Sequence, residues 1–171
     1  MIAKAILVVA MVLMFAAAPA LAGGCPLDSA KDGQVITFRG KVVHAPHDMT
    51  LEIAGCTDSV VLVYADDGSA APGNGVPGGD IAKFRAYTNA TTKRVGGAAC
   101  LQCPKYEVEA TLSGRLALAV VPAGLTKDGL GFLRDSSGKI VGKVGFGHPI
   151  PLYKYQLAIQ AASDIEARRL K

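Results

Sequence analysis

Apolar and polar residues alternate along four separate stretches of this chain. From Tyr106 to Ser113, the residues Tyr, Val, Ala and Leu are separated by Glu, Glu, Thr and Ser. The same period of two residues runs through Val35–Val43, Met49–Ile53 and Tyr153–Ile159. An extended strand with this period places its apolar side chains on one face, where they can enter a core. The chain is therefore predicted to be mainly β.

Three further segments complete the predicted order of elements. Val60–Tyr64 is a continuous apolar run, which is typical of a strand buried on both faces. Asp80 is placed to cap a short helix in which Phe84 faces inward. Leu130–Leu133 and Lys139–Val144 flank an Asp-Ser-Ser-Gly sequence, which indicates a hairpin.

The order of these elements predicts a small OB-like barrel. The predicted order is three strands, a short helix, a fourth strand, a hairpin and a last strand. An open sheet of these strands would leave many edges exposed, and a closed barrel removes them. The helix is expected between the third and fourth strands, which is its position in an OB-fold. A β-sandwich is the alternative. Gly114 is expected to bend the fourth strand or to form a bulge before Leu116–Val121. Ser163–Lys171 is expected to be a polar tail with one helical turn.

Residues 1–22 are expected to be a cleavable secretory signal. Lys4 supplies a positive charge, residues 5–18 carry none, and Ala20-Leu21-Ala22 offers small residues for cleavage. The apolar run over residues 5–18 is shorter than a membrane span, which needs about 20 apolar residues. Residues 23–171 are therefore predicted to form a single domain in the periplasm or outside the cell. Lipid anchoring through Cys25 is the alternative.

The four cysteines predict two disulfides. All of them follow the predicted signal, and an even number in an exported chain is typical of disulfide bonding. Cys25 precedes the first predicted strand and Cys56 follows the second, so a hairpin of these strands brings the two together. The favoured pairing is therefore Cys25–Cys56 with Cys100–Cys103.

The Cys100-Leu101-Gln102-Cys103-Pro104 segment has three possible roles. Thiol-redox chemistry favours this spacing at a helix N-terminus, but here the motif leads into a strand. A zinc site needs two further ligands, and no second C-x-x-C occurs. The sequence therefore favours a local disulfide that tightens a loop, with redox chemistry and metal binding as alternatives.

Several stretches resemble a group of exported bacterial proteins of unknown function with an OB-like β-barrel. The resemblance rests on three stretches: Gly40–Val43 with His47 and Cys56, Tyr106–Arg115, and Gly145–His148 with Tyr153–Glu166. The resemblance implies an OB-like fold and a location in the cell envelope. It implies no catalytic residue, and fold alone does not determine function.

The three histidines are the candidate metal ligands. His44 and His47 flank the first predicted turn, and His148 comes near them if the last strands lie beside that hairpin. Neutral imidazoles bind zinc and copper. The alternative is that each histidine forms hydrogen bonds within a turn. The adjacent Gly145–Pro149 segment, with two glycines around Phe146, predicts a tight bend or a corner that contacts a ligand.

Composition and motifs exclude more functions than they support. The formal net charge of +4 is spread along the chain and Trp is absent, which disfavours nucleic-acid binding. No G-x-S-x-G motif is present, and no residues are ordered as a triad or carboxylate pair. The expected function is a non-enzymatic, monomeric binding protein for a small ligand or an envelope partner, without a cofactor. The alternatives are a zinc- or copper-handling protein and a thiol-redox enzyme.

Overall fold

The computed structural model describes residues 24–44, 48–65, 78–95, 98–147 and 152–171. The predicted signal at residues 1–22, His47 and His148 lie outside these ranges. The described part contains one helix and eleven strands: β1 Val35–His44, β2 Met49–Glu52, β3 Val60–Tyr64, β4 Gly78–Gly79, α1 Ile81–Thr92, β5 Arg94–Val95, β6 Ala98–Ala99, β7 Lys105–Leu118, β8 Thr126–Lys127, β9 Phe132–Arg134, β10 Ile140–Lys143 and β11 Tyr155–Leu170.

Five of these strands close into a ring. β1 pairs antiparallel with β2 and β7, β2 pairs with β3, and β7 pairs with β11. The ring closes because β11 also pairs parallel with β3, from Tyr155 opposite Val60 to Ile159 opposite Tyr64. Pairing that continues around all five strands distinguishes this structure from a sandwich of two separate sheets. The predicted small, mainly β barrel is confirmed, with α1 between its third and fourth strands.

The alternating residues fill the barrel interior as the sequence predicts. Along β7, burial alternates from Val108 to Leu116, and the polar residues between them face outward. The same alternation buries Phe38 and Val42 on β1. β3 lies between β2 and β11, and its first three residues are buried, as predicted for a central strand. The hydrophobic core of this protein therefore lies inside the barrel.

Helix α1 packs against β7 and β11 through Phe84, which is completely buried. The Phe84 ring contacts the edge of the Tyr64 ring at the end of β3. The Tyr64 hydroxyl and Thr88 Oγ1 are 2.8 Å apart and share a hydrogen bond, and the Arg85 guanidinium lies 4.0 Å from the Tyr64 ring centroid. The inward position of Phe84 is confirmed. Asp80 precedes the helix, but its side chain makes no capping hydrogen bond.

Gly114 lies inside β7, which runs unbroken from Lys105 to Leu118, and the register shift opposite it lies in β11, between Ile159 and Ala161. The prediction for the end of the chain is wrong. Ser163–Lys171 is not a helical tail, because β11 continues to Leu170 and pairs with the first half of β7. A bulge between Ser163 and Glu166 allows this extension, and Asp164 adopts a left-handed backbone there with φ of 47°.

The connection between β7 and β11 carries a small sheet of its own. β8, β9 and β10 form three antiparallel strands. The Asp135 carboxylate accepts hydrogen bonds from the backbone N–H groups of Ser137 and Lys139, which fixes the β9–β10 turn. A hydrogen bond from the Ser137 hydroxyl lowers the pKa of Asp135. The predicted hairpin is confirmed, and it belongs to a sheet separate from the barrel.

Candidate functional site

Both predicted disulfides are present. Cys25 is bonded to Cys56 and Cys100 to Cys103, and no described cysteine is free. Cys25 and Cys56 pack against the core cluster, and they join the segment before β1 to the loop after β2. The Sγ atom of Cys25 is bonded to Cys56 and so is not available for lipid attachment. Two disulfides indicate that the chain folds in an oxidising, extracytoplasmic compartment.

The Cys100–Cys103 disulfide lies on the surface just before β7. It joins residues three positions apart, and Leu101 between them is 85% exposed. The motif leads into a strand, so it has no helix N-terminus to stabilise a thiolate. Cys103 lines a groove of about 240 Å³ with Leu101, Gln102, Pro104, Lys105, Arg169, Leu170 and Lys171.

The end of the β1–β2 hairpin meets the segment that leads into β11. We call this region the loop corner and define it by His44, Asp48, Phe146, Gly147 and Tyr153. His44 pairs with Met49, so it lies at the last rung of the hairpin beside the turn that contains Asp48. A methyl group placed on Gly147 would lie 3.2 Å from Asp48 Oδ1. The corner thus brings together residues that are almost one hundred positions apart in sequence.

Two aromatic residues form one side of the loop corner. Phe146 and Tyr153 face each other in an isolated antiparallel bridge, and each N–H donates to the other's carbonyl at 3.0 Å. Directly opposed residues of such a pair project to the same face. Both side chains are half-buried, so each retains some contact with solvent.

Gly147 lies close to the Tyr153 ring. Its φ of +81° favours glycine, and a Cβ there would lie 2.9 Å from Tyr153 Cδ2. The predicted tight bend around Phe146 is therefore confirmed. Burial, and then the negative charge of Asp48, raise the pKa of the Tyr153 hydroxyl, so this group remains a hydrogen-bond donor at neutral pH.

His44 is held in its neutral form. Both of its ring nitrogens are buried, and neither has a hydrogen-bond partner among the described residues. Burial lowers the pKa of His44 below its ordinary value. A neutral imidazole is the form that binds a metal ion, although both nitrogens are shielded from solvent here.

Of the three predicted metal ligands, the described residues include only His44. Within the described ranges, no group of three or more His, Cys, Asp or Glu side chains is arranged to hold a metal ion. His47 and His148 lie outside those ranges, so the convergence of the three histidines remains a prediction. Asp48 follows His47 in the chain, and Gly147 precedes His148. Asp48 and Gly147 lie beside each other in the structure.

A band of paired charges covers the outer face of β1, β7 and β11. Lys41 and Arg168 both form ion pairs with Glu107, and Arg39 forms ion pairs with Glu109 and Glu166. A hydrogen bond from Lys41, and a second from Arg168, lower the pKa of Glu107. These side chains form ion pairs with one another across neighbouring strands, which is the usual arrangement of opposite charges on a sheet surface.

A polar groove of about 590 Å³ opens beside this band of charges. Its lining residues come from β1, from the β2–β3 loop and from Glu52 and Glu109. The groove carries both charge signs and is broad and open, without the aromatic lining that is usual in a small-molecule site. The loop corner is therefore the stronger candidate for ligand binding.

Sequence patterns identified only part of the loop corner. They singled out His44 and the Gly145–Pro149 segment, but not Tyr153 as a site residue. Tyr153 occupies an alternating apolar position, which predicts a strand residue and gives no sign of a site.

Comparisons with known proteins give no further assignment. No family model, no curated protein and no solved structure matches this chain. Among the described residues, no helix is long and apolar enough to cross a membrane.

Proposed function

We propose that this chain is a non-enzymatic, monomeric periplasmic protein that binds a small envelope ligand at the loop corner. The observation that carries the proposal is the approach of Asp48 to Gly147 and Tyr153, which joins two loops into one surface. OB-like barrels bind their ligands with the loop between the first two strands and the loop between the last two. Asp48 and Gly147 belong to those two loops. The sequence resemblance to exported OB-like proteins of unknown function is consistent with this proposal.

The side chains of the loop corner favour a ligand that carries sugar hydroxyl groups. Phe146 and Tyr153 offer aromatic surface, on which the C–H face of a sugar ring can pack. The Asp48 carboxylate accepts hydrogen bonds, and the Tyr153 hydroxyl donates one. A few oriented polar groups beside apolar surface are typical of small-molecule sites. The periplasm supplies such ligands as fragments of the peptidoglycan glycan.

Gly147→Ala is expected to weaken ligand binding at the loop corner. The new methyl group would lie 2.9 Å from the Tyr153 ring and 3.2 Å from Asp48 Oδ1, so one of them has to move. The measurement is a thermal-shift screen of peptidoglycan fragments and envelope sugars, followed by calorimetric titration of each ligand that binds. We expect affinity to fall at least about tenfold, because misplacing one polar contact costs about 1.4 kcal/mol or more.

Two variants make this experiment specific. Gly124→Ala carries the same backbone strain, since its φ is +80°, but nothing lies within 4 Å of the new methyl group. Glu52→Gln alters the polar groove and leaves the loop corner intact. Both are expected to bind like the unchanged protein. Binding that survives Gly147→Ala, or that is lost in Glu52→Gln, would contradict the assignment, as would the absence of any ligand in the screen.

A metal-handling role is the second candidate, and His44 favours it. A buried imidazole without a hydrogen-bond partner among the described residues is unusual, because buried polar groups are normally satisfied. Zinc or copper bound to His44 would satisfy it, with His47 and His148 as the further predicted ligands. This candidate requires that the loops adjust so that a His44 nitrogen becomes accessible.

The metal-handling role predicts that the protein purified without an affinity tag contains zinc or copper. We expect His47→Ala and His148→Ala each to weaken metal binding at least about tenfold, because each removes one ligand. The measurements are elemental analysis and titration against a competing chelator. Metal well below one equivalent, or equal affinity in the variants and the unchanged protein, would exclude this role.

A further inference from the structure

The Cys100–Cys103 disulfide differs from Cys25–Cys56 in what surrounds it. Cys25 and Cys56 contact the hydrophobic core, whereas Cys100 and Cys103 are not among the residues packed against it. The bond between Cys25 and Cys56 spans 31 positions and joins separate parts of the fold. The bond between Cys100 and Cys103 spans three positions within one surface loop, so it restrains the unfolded chain far less.

The groove beside Cys103 is basic. Its lining side chains include Lys105, Arg169 and Lys171, and no acidic side chain is among the described residues that line it. The extension of β11 creates this arrangement, because Leu170 pairs with Lys105 directly after the Cys103-Pro104 sequence. Cations beside a cysteine favour its thiolate over its thiol. The Cys103 sulfur would therefore be a good leaving group in thiol–disulfide exchange.

We propose that Cys100–Cys103 is a redox-active disulfide that is reduced by dithiols, with Cys103 leaving as a thiolate into the basic groove. A dithiol thiolate attacks Cys100 Sγ, the bond between the two cysteine sulfurs breaks, and a mixed disulfide forms at Cys100. The second dithiol sulfur then attacks the first, which releases Cys100 and completes a disulfide in the reductant. Two electrons and two protons pass from the dithiol to the cysteine pair, while Cys25–Cys56 stays oxidised.

Differential alkylation of the full chain tests the order of reduction. The protein is exposed to low concentrations of dithiothreitol, quenched at intervals, and each cysteine is assigned by mass spectrometry. We expect Cys100 and Cys103 to be labelled at least about tenfold faster than Cys25 and Cys56, because exchange depends on access and on the leaving thiolate. Equal rates, or faster reduction of Cys25–Cys56, would overturn the proposal.

The charge of the attacking thiol tests the role of the basic groove. At low salt, mercaptoethanesulfonate is expected to reduce Cys100–Cys103 at least about threefold faster than cysteamine, after correction for the thiolate fraction of each, since the groove attracts anions. The preference should disappear in about 0.5 M salt, where charges are screened within a few ångströms. A preference for cysteamine, or no preference at low salt, contradicts the proposal.

Charge reversal in the groove provides the matched comparison. Arg169→Glu with Lys171→Glu removes two of the three cations, and we expect it to abolish the preference for the anionic thiol. Lys31→Glu with Lys139→Glu changes the net charge equally at two exposed positions that do not line the groove. This control is expected to keep the preference. A preference that survives in the groove variant would show that the basic residues have no role, and would overturn the proposal.

Discussion

Replacing Cys25 and Cys56 together with alanine is expected to lower the free energy of unfolding by about 3–4 kcal/mol. The bond closes a segment that contains β1 and β2, with a separation of 31 positions, so its loss releases a large loop in the unfolded chain. Both cysteines also pack against the barrel core, where alanine leaves unfilled volume. The measurement is urea unfolding of the oxidised proteins at one pH, followed by far-ultraviolet circular dichroism.

The second disulfide provides the matched control for this experiment. Replacing Cys100 and Cys103 with alanine opens a loop of three positions, and the same entropy relation gives a loss of about 2 kcal/mol. Equal losses for the two pairs would contradict the structural assignment of Cys25–Cys56.

Local patterns were sufficient to predict the barrel strands and the disulfide pairing. The interior side chains of β7 follow a period of two without interruption, and this period depends only on the geometry of an extended chain. The pairing of Cys25 with Cys56 followed from the positions of these residues before and after one hairpin. In both cases the deciding information lies within a short stretch of sequence.

The extension of β11 was not predictable, because its stabilising partners are distant in sequence. After Ser163, only Ile165 and Ala167 face inward, and charged residues lie between and after them. This pattern is typical of a polar tail when the segment is considered alone. Its partner strand begins about sixty residues earlier, where Glu107 forms an ion pair with Arg168. Cross-strand pairing of this kind leaves no local periodic signal.

The loop corner was predicted only in part for the same reason, and the binding role proposed for it depends on contacts between residues distant in sequence. The sequence identified Gly147 by its neighbours and His44 by its type, but the approach of Asp48 to Tyr153 depends on how the barrel closes. The basic groove beside Cys103 likewise requires the end of β11 to pair with the start of β7. Both candidate sites arise where residues distant in sequence meet.

Gly114→Ala tests barrel closure. We expect this substitution to lower the free energy of unfolding, whereas strand propensity alone predicts that it raises it. Alanine is favoured over glycine in a strand interior by about 0.5–1 kcal/mol. At position 114, however, the new Cβ would lie 2.1 Å from the backbone oxygen of Ala158 on β11. A backbone atom cannot rotate away as a side chain can, so β7 and β11 have to separate. We expect a net loss of about 3 kcal/mol in urea unfolding, at the upper end for overpacking.

Gly129→Ala supplies the comparison, because Gly129 has nothing within 4 Å of its ideal Cβ position and no left-handed backbone. The free energy of unfolding of Gly129→Ala is expected to stay within about 0.5 kcal/mol of the value for the unchanged protein.

The position of Gly114 explains why Gly114→Ala should be strongly destabilising. It pairs with Ile159, beside the register shift between Ile159 and Ala161, where β11 bends while also pairing with β3. A Gly114→Ala variant as stable as Gly129→Ala would mean that β7 and β11 do not approach closely there, and the closed barrel would be wrong at this point.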